Sequence, residues 1–332
     1  MKKIIAILMV FIMVLSLVAL TACSGNGTAD VENAALKLGL GVTTTVTTKD
    51  ATEDANGQGQ ATTTAAAVLV DDAGKIVKAF IDCADHKVGY TFDGKAVANE
   101  SFKTKYEQGA SYNMVLYGGA AKEWFEQADA FCALIVGKTA SEVKALVAEN
   151  AKGTDEVINA GCTIYVSDFA VAVEEAINNA TASNATKNDT LKLGVSTTQT
   201  TSDATEDKPG SNKLETTFFA AAVNAESKIV AASSDCVQVE FKFDDAGKSS
   251  FDTTKEVLSK KEQGANYNMV LYGGAKKEWF EQAAAFDALC VGKTVTEIKG
   301  FMGADYKGNT DVQAAGCTIY VSGFVAAASK IG

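Results

Sequence analysis

Apolar positions along the chain change period in a fixed order, and the order occurs twice. An apolar run from Ile4 to Leu20, interrupted only by Ser16, follows Lys2 and Lys3, which is the pattern of a targeting segment. Leu38 to Thr48 is rich in branched residues and predicts a strand. Thr62 to Val70 and Lys75 to Asp82 flank Asp71-Asp72-Ala73-Gly74, which predicts a hairpin closed at a glycine able to take positive φ. The period then becomes helical. Trp124, Ala128, Phe131, Cys132 and Ile135 share one face, and Gly137 supplies a stop. Thr139 to Glu142 forms a capping box before Val143, Leu146 and Val147, and Cys162 to Val166 predicts a short strand. Ser167 reads as the N-cap of a last helix with Phe169, Val173 and Ile177 inward. Strands early and helices late predict an α+β fold with a mostly antiparallel sheet.

The same signals return about 155 residues later. Leu36-Lys37-Leu38-Gly39 matches Leu191-Lys192-Leu193-Gly194, the hairpin matches Phe218 to Val223 with Lys228 to Ala232, and Gly161 to Ser167 matches Gly316 to Ser322. Thr294 to Glu297 repeats the capping box, and Ser322 opens the matching last helix. A period this long marks a duplicated domain, since solenoid units run about 20–50 residues. The expected organisation is a leader at 1–22, a tether at 23–33, one repeat domain at 34–180, a small polar linker at 181–188 and a second repeat domain at 189–332. Each domain is expected to hold a mostly antiparallel sheet and about three helices.

Composition narrows the chemistry. The 332 residues are 47% hydrophobic and 21% charged, which suits globular domains. All 30 basic residues are lysine, the net charge is -11, and His86 and Pro209 are single occurrences. Without arginine there is no bidentate fork for phosphate or guanine, and the net charge repels polyanions, so nucleic acid is not an expected partner. One histidine cannot serve both repeats as base or zinc ligand. Cys83, Cys132, Cys162, Cys236, Cys290 and Cys317 fall three to a half without CxxC spacing, which fits small buried residues, and the matched pairs Cys83/Cys162 and Cys236/Cys317 also allow thiol redox.

Glu107 to Ala128 and Glu262 to Ala283 differ only at Ser111/Asn266 and Ala121/Lys276. Within this block Gly118-Gly119 with Lys122, and Gly273-Gly274 with Lys277, are expected to enter a helix and offer free backbone N–H groups to an anion. The equally available reading is an ordinary loop.

Two resemblances add to these expectations. Leu20-Thr21-Ala22-Cys23 resembles the bacterial lipobox, which implies cleavage before Cys23, a lipid on its thiol, and anchoring on the outer face of the cytoplasmic membrane. The hairpin with Asp72-Ala73-Gly74-Lys75-Ile76-Val77, then Val136-Gly137-Lys138-Thr139, then Gly161-Cys162-Thr163 before a terminal helix resembles the bacterial FMN-binding domain. That resemblance implies Thr163 and Thr318 as attachment residues, Gly161 and Gly316 as points of close backbone approach to the phosphate, FMN as cofactor and an envelope redox partner. Cys162 and Cys317 stand where the family has alanine. The expected function is therefore a lipid-anchored, non-catalytic electron carrier, with a cofactor-free binding or structural lipoprotein and a thiol redox protein as alternatives.

Overall fold

The computed structural model describes residues 34–332; the leader and the tether, Cys23 included, lie outside the described residues. The first half comprises strands β1 (Leu36–Lys49), β2 (Gly57–Val70), β3 (Ile76–Tyr90) and β4 (Ala96–Val97). Helices α1 (Lys105–Gln108), α2 (Met114–Gly118), α3 (Trp124–Leu134), α4 (Ala140–Lys144), α5 (Asp155–Ala160) and α6 (Ser167–Asn178) follow. The second half repeats the order after β5 (Thr181–Ala185), with β6 (Thr190–Ser202), β7 (Gly210–Val223) and β8 (Ile229–Phe243). Its helices are α7 (Lys260–Gln263), α8 (Met269–Gly273), α9 (Trp279–Cys290), α10 (Val295–Lys299), α11 (Thr310–Ala314) and α12 (Ser322–Ser329). All strand pairs are antiparallel, in a five-stranded sheet β4-β3-β2-β1-β5 and a three-stranded sheet β6-β7-β8. The α+β expectation holds. No helix among the described residues is long and apolar enough to cross a membrane.

The central strands read as unbroken apolar runs because both of their faces are covered. Along β2, Ala65, Ala67 and Leu69 face the other sheet while Ala66, Val68 and Val70 face the helices. In β7, Phe218, Ala220 and Ala222 face the first sheet, and Phe219 and Ala221 face α9 and α12. The result is four layers, with two sheets back to back and helices outside. Leu38, Leu40 and Val42 share one buried core with Leu193, Leu214 and Phe241 from the other half. Reciprocal contacts join the halves: Ala51 N–H donates to Gly247 O and Ala204 N–H to Gly94 O, each at 2.8 Å. Tyr90 stacks on Phe243 with ring centroids 4.6 Å apart.

Several local expectations need correction. Thr181–Ala185, expected within the linker, is a strand paired with β1. Cys162 to Val166 forms no strand; Tyr165 makes a single bridge to Lys152 because Gly161, at φ 99°, turns the chain back toward α5. Val166 and Val321, not Ser167 and Ser322, occupy the N-cap positions, and the serines are the first helical residues. Each half has six α-helices rather than about three, the extra ones being single turns too short to show a helical apolar period. Both capping boxes form as expected, at Thr139 with Glu142 and Thr294 with Glu297.

One interhelical contact is titratable. Lys330 at the end of α12 pairs with Glu107 at 2.6 Å. At the equivalent place on α6, Glu175 faces Glu262, and burial followed by that like charge pushes Glu175 up to about 8. A carboxyl raised in the folded state stabilises the fold fully below its unfolded value, and that contribution is lost as pH rises from there toward 8. Glu175→Gln keeps an acceptor for the Val42 N–H, which now donates to Oε2 at 3.0 Å. The variant is expected to unfold at higher temperature than the parent at pH 8 and to show a flatter dependence between pH 5 and 8, read by calorimetry across that range. An unchanged profile would remove Glu175 from the pH response.

Candidate functional site

A cavity of about 470 Å³ lies in the first half between the helix-facing side of the sheet and the ends of α3 and α6. Thr62, Thr64 and Cys83 come from the sheet, Lys105 from α1, Trp124 and Gln127 from α3, and Thr163 to Tyr165 from the loop before α6. Trp124 and Gln127 are held because α3 buries one face in the helix-side core.

Thr163 is anchored at the cavity wall by both its backbone and its hydroxyl. Its N–H and Oγ1 both donate to Gln127 Oε1, at 2.8 and 3.0 Å, while the residue stays exposed. Gln127 is buried, and its Nε2 donates to Lys122 O at 3.0 Å. Thr318 repeats this with Gln282 at 2.9 and 3.0 Å. Gly161 sits beside the Lys122 ammonium: a Cβ there would come within 2.5 Å of Lys122 Nζ, and φ is 99°. Gly316 and Lys277 stand in the same relation, also at 2.5 Å. The left-handed backbone, φ 99° and 101°, favours glycine at both positions, while the lysine tip beside each could move aside for a Cβ.

Around Thr163 two ammonium groups, Lys122 and Lys152, stand with one cavity-lining carboxylate, Asp168. Among the described residues Lys122 makes no ion pair, and Lys152, which lies over the Tyr165 ring at 5.5 Å, has no carboxylate partner. Lys307 lies over Tyr320 at 5.8 Å. Unpaired ammonium groups flanking an exposed hydroxyl, beside an aromatic wall, form a pattern suited to an anionic ligand with a flat apolar body.

Gly118-Gly119 and Gly273-Gly274 do not enter a helix. They end α2 and α8, with Gly119 and Gly274 as left-handed C-caps, so the negative end of each helix faces them. The N–H groups that open α2 are already taken: Met114 N–H donates to Glu123 Oε2 at 2.8 Å, and Glu278 does the same for Met269. Gly118 still lines the cavity as backbone. Lys122 therefore works with Gly161 and Thr163, not with the glycine pair.

At the cavity floor is a cation that sequence reasoning missed. Lys105 pairs with Asp85 at 3.2 Å and lies 5.4 Å from the Tyr112 ring and 5.9 Å from Trp124. Burial opposes its charge, but Cys83, Asp85 and Tyr112 outweigh that and hold it above the ordinary lysine range. Lys260 repeats the arrangement over Tyr267 and Trp279, yet its carboxylate is Glu215 at 3.4 Å, from the neighbouring strand. The registers explain the exchange. Thr62 lies opposite Asp85 across β2 and β3, and Glu215 lies opposite Gln238 across β7 and β8. The acid has changed strands while the lysine has kept its place as the first residue of α1 and α7.

This exchange predicts a coupled pair of substitutions. Asp85→Gln alone leaves a half-buried ammonium uncompensated and is expected to cost about 2–3 kcal/mol. Adding Thr62→Glu, which copies the second half, is expected to recover most of that loss, with a coupling energy of about 1–3 kcal/mol from denaturant unfolding of the four-member cycle. Additive effects would show that the two acids do not serve the same lysine.

The cysteines contribute no ready nucleophile. The six within the described residues are free and buried. Burial pushes Cys83 and Cys236 up to about 12 and Cys162 and Cys317 up to about 11. Cys162 is packed in the core, away from the surface at Thr163.

No family model, curated protein or solved structure matches the chain.

Proposed function

We propose that the chain is a lipid-anchored extracytoplasmic carrier, tethered through Cys23, whose two halves are copies of one unit and each hold an anionic aromatic ligand of the flavin mononucleotide type for electron transfer to an envelope redox partner. The observation that carries this reading is the duplicated cluster of an exposed threonine hydroxyl, a glycine whose missing Cβ admits a lysine ammonium, and a second unpaired lysine over a tyrosine ring. The residues fit such a group. Lys122 and Lys152 balance a phosphate beside Thr163, and the cavity walled by Trp124, Tyr165 and Phe169 takes the flat body. When bound, the flavin supplies the redox chemistry, and the protein orients it and shields it from solvent. Gln127 fixes Thr163 through both its N–H and its hydroxyl, so Gln127 Oε1 sits where it can accept the hydroxyl proton.

The test is the visible spectrum and intact mass of protein purified from a host that flavinylates exported proteins, with Thr163→Val and Thr318→Val as controls. A yellow protein whose added mass disappears with the threonines supports the reading. A colourless, unmodified protein that also fails to bind free FMN overturns it. The second reading, a cofactor-free binding lipoprotein, is favoured by one observation. Leu116 and Tyr117 on α2 are 68% and 82% exposed, and Leu271 and Tyr272 on α8 are 69% and 82% exposed. Apolar side chains left this open in both halves suit contact with another surface.

A further inference from the structure

A second cleft, of about 670 Å³, lies where β5 and the end of α6 meet β8 and α9. Its chemistry has no counterpart in the first half. Where the first half has Phe80, Ile81, Tyr106 and Cys132, the second has Ser233, Ser234, Lys261 and Asp287. In the first half these positions are mainly packing, with Phe80 and Tyr106 in ring contact at 4.7 Å, and the one side-chain hydroxyl among them, that of Tyr106, donates to Asp129 Oδ1 at 3.2 Å. In the second they are polar. Asp287 is 7% exposed and forms part of the cleft wall.

The polar groups are incompletely used. Asp287 Oδ2 accepts from Ser234 N–H at 2.9 Å, but Oδ1 is buried without a hydrogen-bond partner, as is Ser234 Oγ. Burial pushes the Asp287 carboxyl above its usual range, opposed by the nearby Lys261 ammonium and by Ser234. Lys261, also in the wall, donates to Ser233 Oγ at 3.0 Å and does not reach Asp287 Oδ1. A buried acceptor left unpaired destabilises the fold that holds it. One carboxylate and one ammonium thus line a single cleft without bonding each other, and Val230, Ala284, Ala288 and Val291 complete an apolar wall.

We infer that this cleft binds a small zwitterion of the α-amino-acid type, its ammonium donating to Asp287, its carboxylate accepting from Lys261 and its side chain resting on the apolar wall. The overall charge balance favours a zwitterion over an ion of either sign, because the two wall charges cancel. The inference is independent of the flavin reading, since it uses no residue of the Thr163 or Thr318 clusters.

Calorimetric titration of the full chain with each of the twenty proteinogenic L-amino acids tests it, with propionate, isopropylamine and glucose as probes lacking the amine, the carboxylate and both charges. At least one amino acid is expected to bind one per chain, with the single-function probes much weaker. Asp287→Asn and Lys261→Met are each expected to weaken binding about tenfold or more, the loss of one charge-assisted hydrogen bond. Ser234→Ile with Asp287→Cys, which copies the first half, is expected to abolish binding while raising the unfolding temperature, so lost binding cannot be confused with lost folding. Binding that survives this double change overturns the inference. So does equal affinity for glucose or a single-function probe, or no amino-acid binding at all, the result for a cleft that holds only water.

Discussion

Residues 34–188 produced without the rest of the chain will not persist as a folded monomer. The sheet face carrying Leu38, Leu40, Val42, Leu69 and Val88 is buried against the second sheet, and in the fragment it would meet water. At about 1.5–3 kcal/mol for each large apolar side chain, the loss is comparable with the whole net stability of a domain, roughly 5–15 kcal/mol. The reciprocal contacts through Ala51, Ala204, Gly94 and Gly247 show that equivalent surfaces of the halves fit one another, so two copies of the fragment have a ready way to cover the face. Sedimentation is expected to find a dimer or aggregate, whereas the full chain needs no second copy for this face. A fragment that unfolds cooperatively as a monomer would show that the shared core contributes far less than its burial implies.

The second large effect is expected at Gly39 and Gly194. On β1, Leu38 and Leu40 face the other sheet, which turns Gly39 toward α6; a Cβ there would lie 1.8 Å from Ala176 O. Gly194 stands likewise, 2.0 Å from Ala327 O of α12. The obstacle is helix backbone, which cannot rotate away as a side chain can. Gly39→Val or Gly194→Val must lift the helix from the sheet and is expected to cost at least about 3 kcal/mol, at or beyond the upper end of ordinary overpacking. Gly74→Ala is the contrast. Its added Cβ meets nothing within 4 Å, and only φ of 74° opposes it, so about 1 kcal/mol is expected. Denaturant midpoints of the three variants decide the matter, and equal losses at Gly39 and Gly74 would refute the close-packing account.

Legibility in the sequence followed the range of the interactions. The duplicated order of signals, the hairpin around Gly74 and the α3 face of Trp124, Ala128 and Phe131 depend on neighbours within a few turns, and all were readable. The shared core was not. Ala65 to Val70 shows that both faces of β2 are covered, but nothing local says that one cover is the other half. Thr163, Gly161 and Lys122 were each singled out, yet Lys122 had been grouped with Gly118 and Gly119, which are near in sequence. Its true neighbour, Gly161, comes close only through folding. Lys105 escaped because its acid partner sits at different sequence positions in the two halves. A position-by-position comparison sees Thr62 against Glu215 and Asp85 against Gln238 as two unrelated changes; only the strand register makes them one.

The back-to-back packing of two sheets from one chain has a consequence for how the molecule can diverge. Were each half a separate polypeptide pairing with its own copy, every substitution would be made twice, and a buried carboxylate like Asp287 would burden both sides of the assembly. Covalent continuity lifts that constraint. One half can keep Phe80, Tyr106 and Cys132 as packing that secures the fold, while its counterpart spends stability on Ser233, Lys261 and Asp287. Asymmetry of this kind lets one half act as the scaffold on which the other acquires new chemistry.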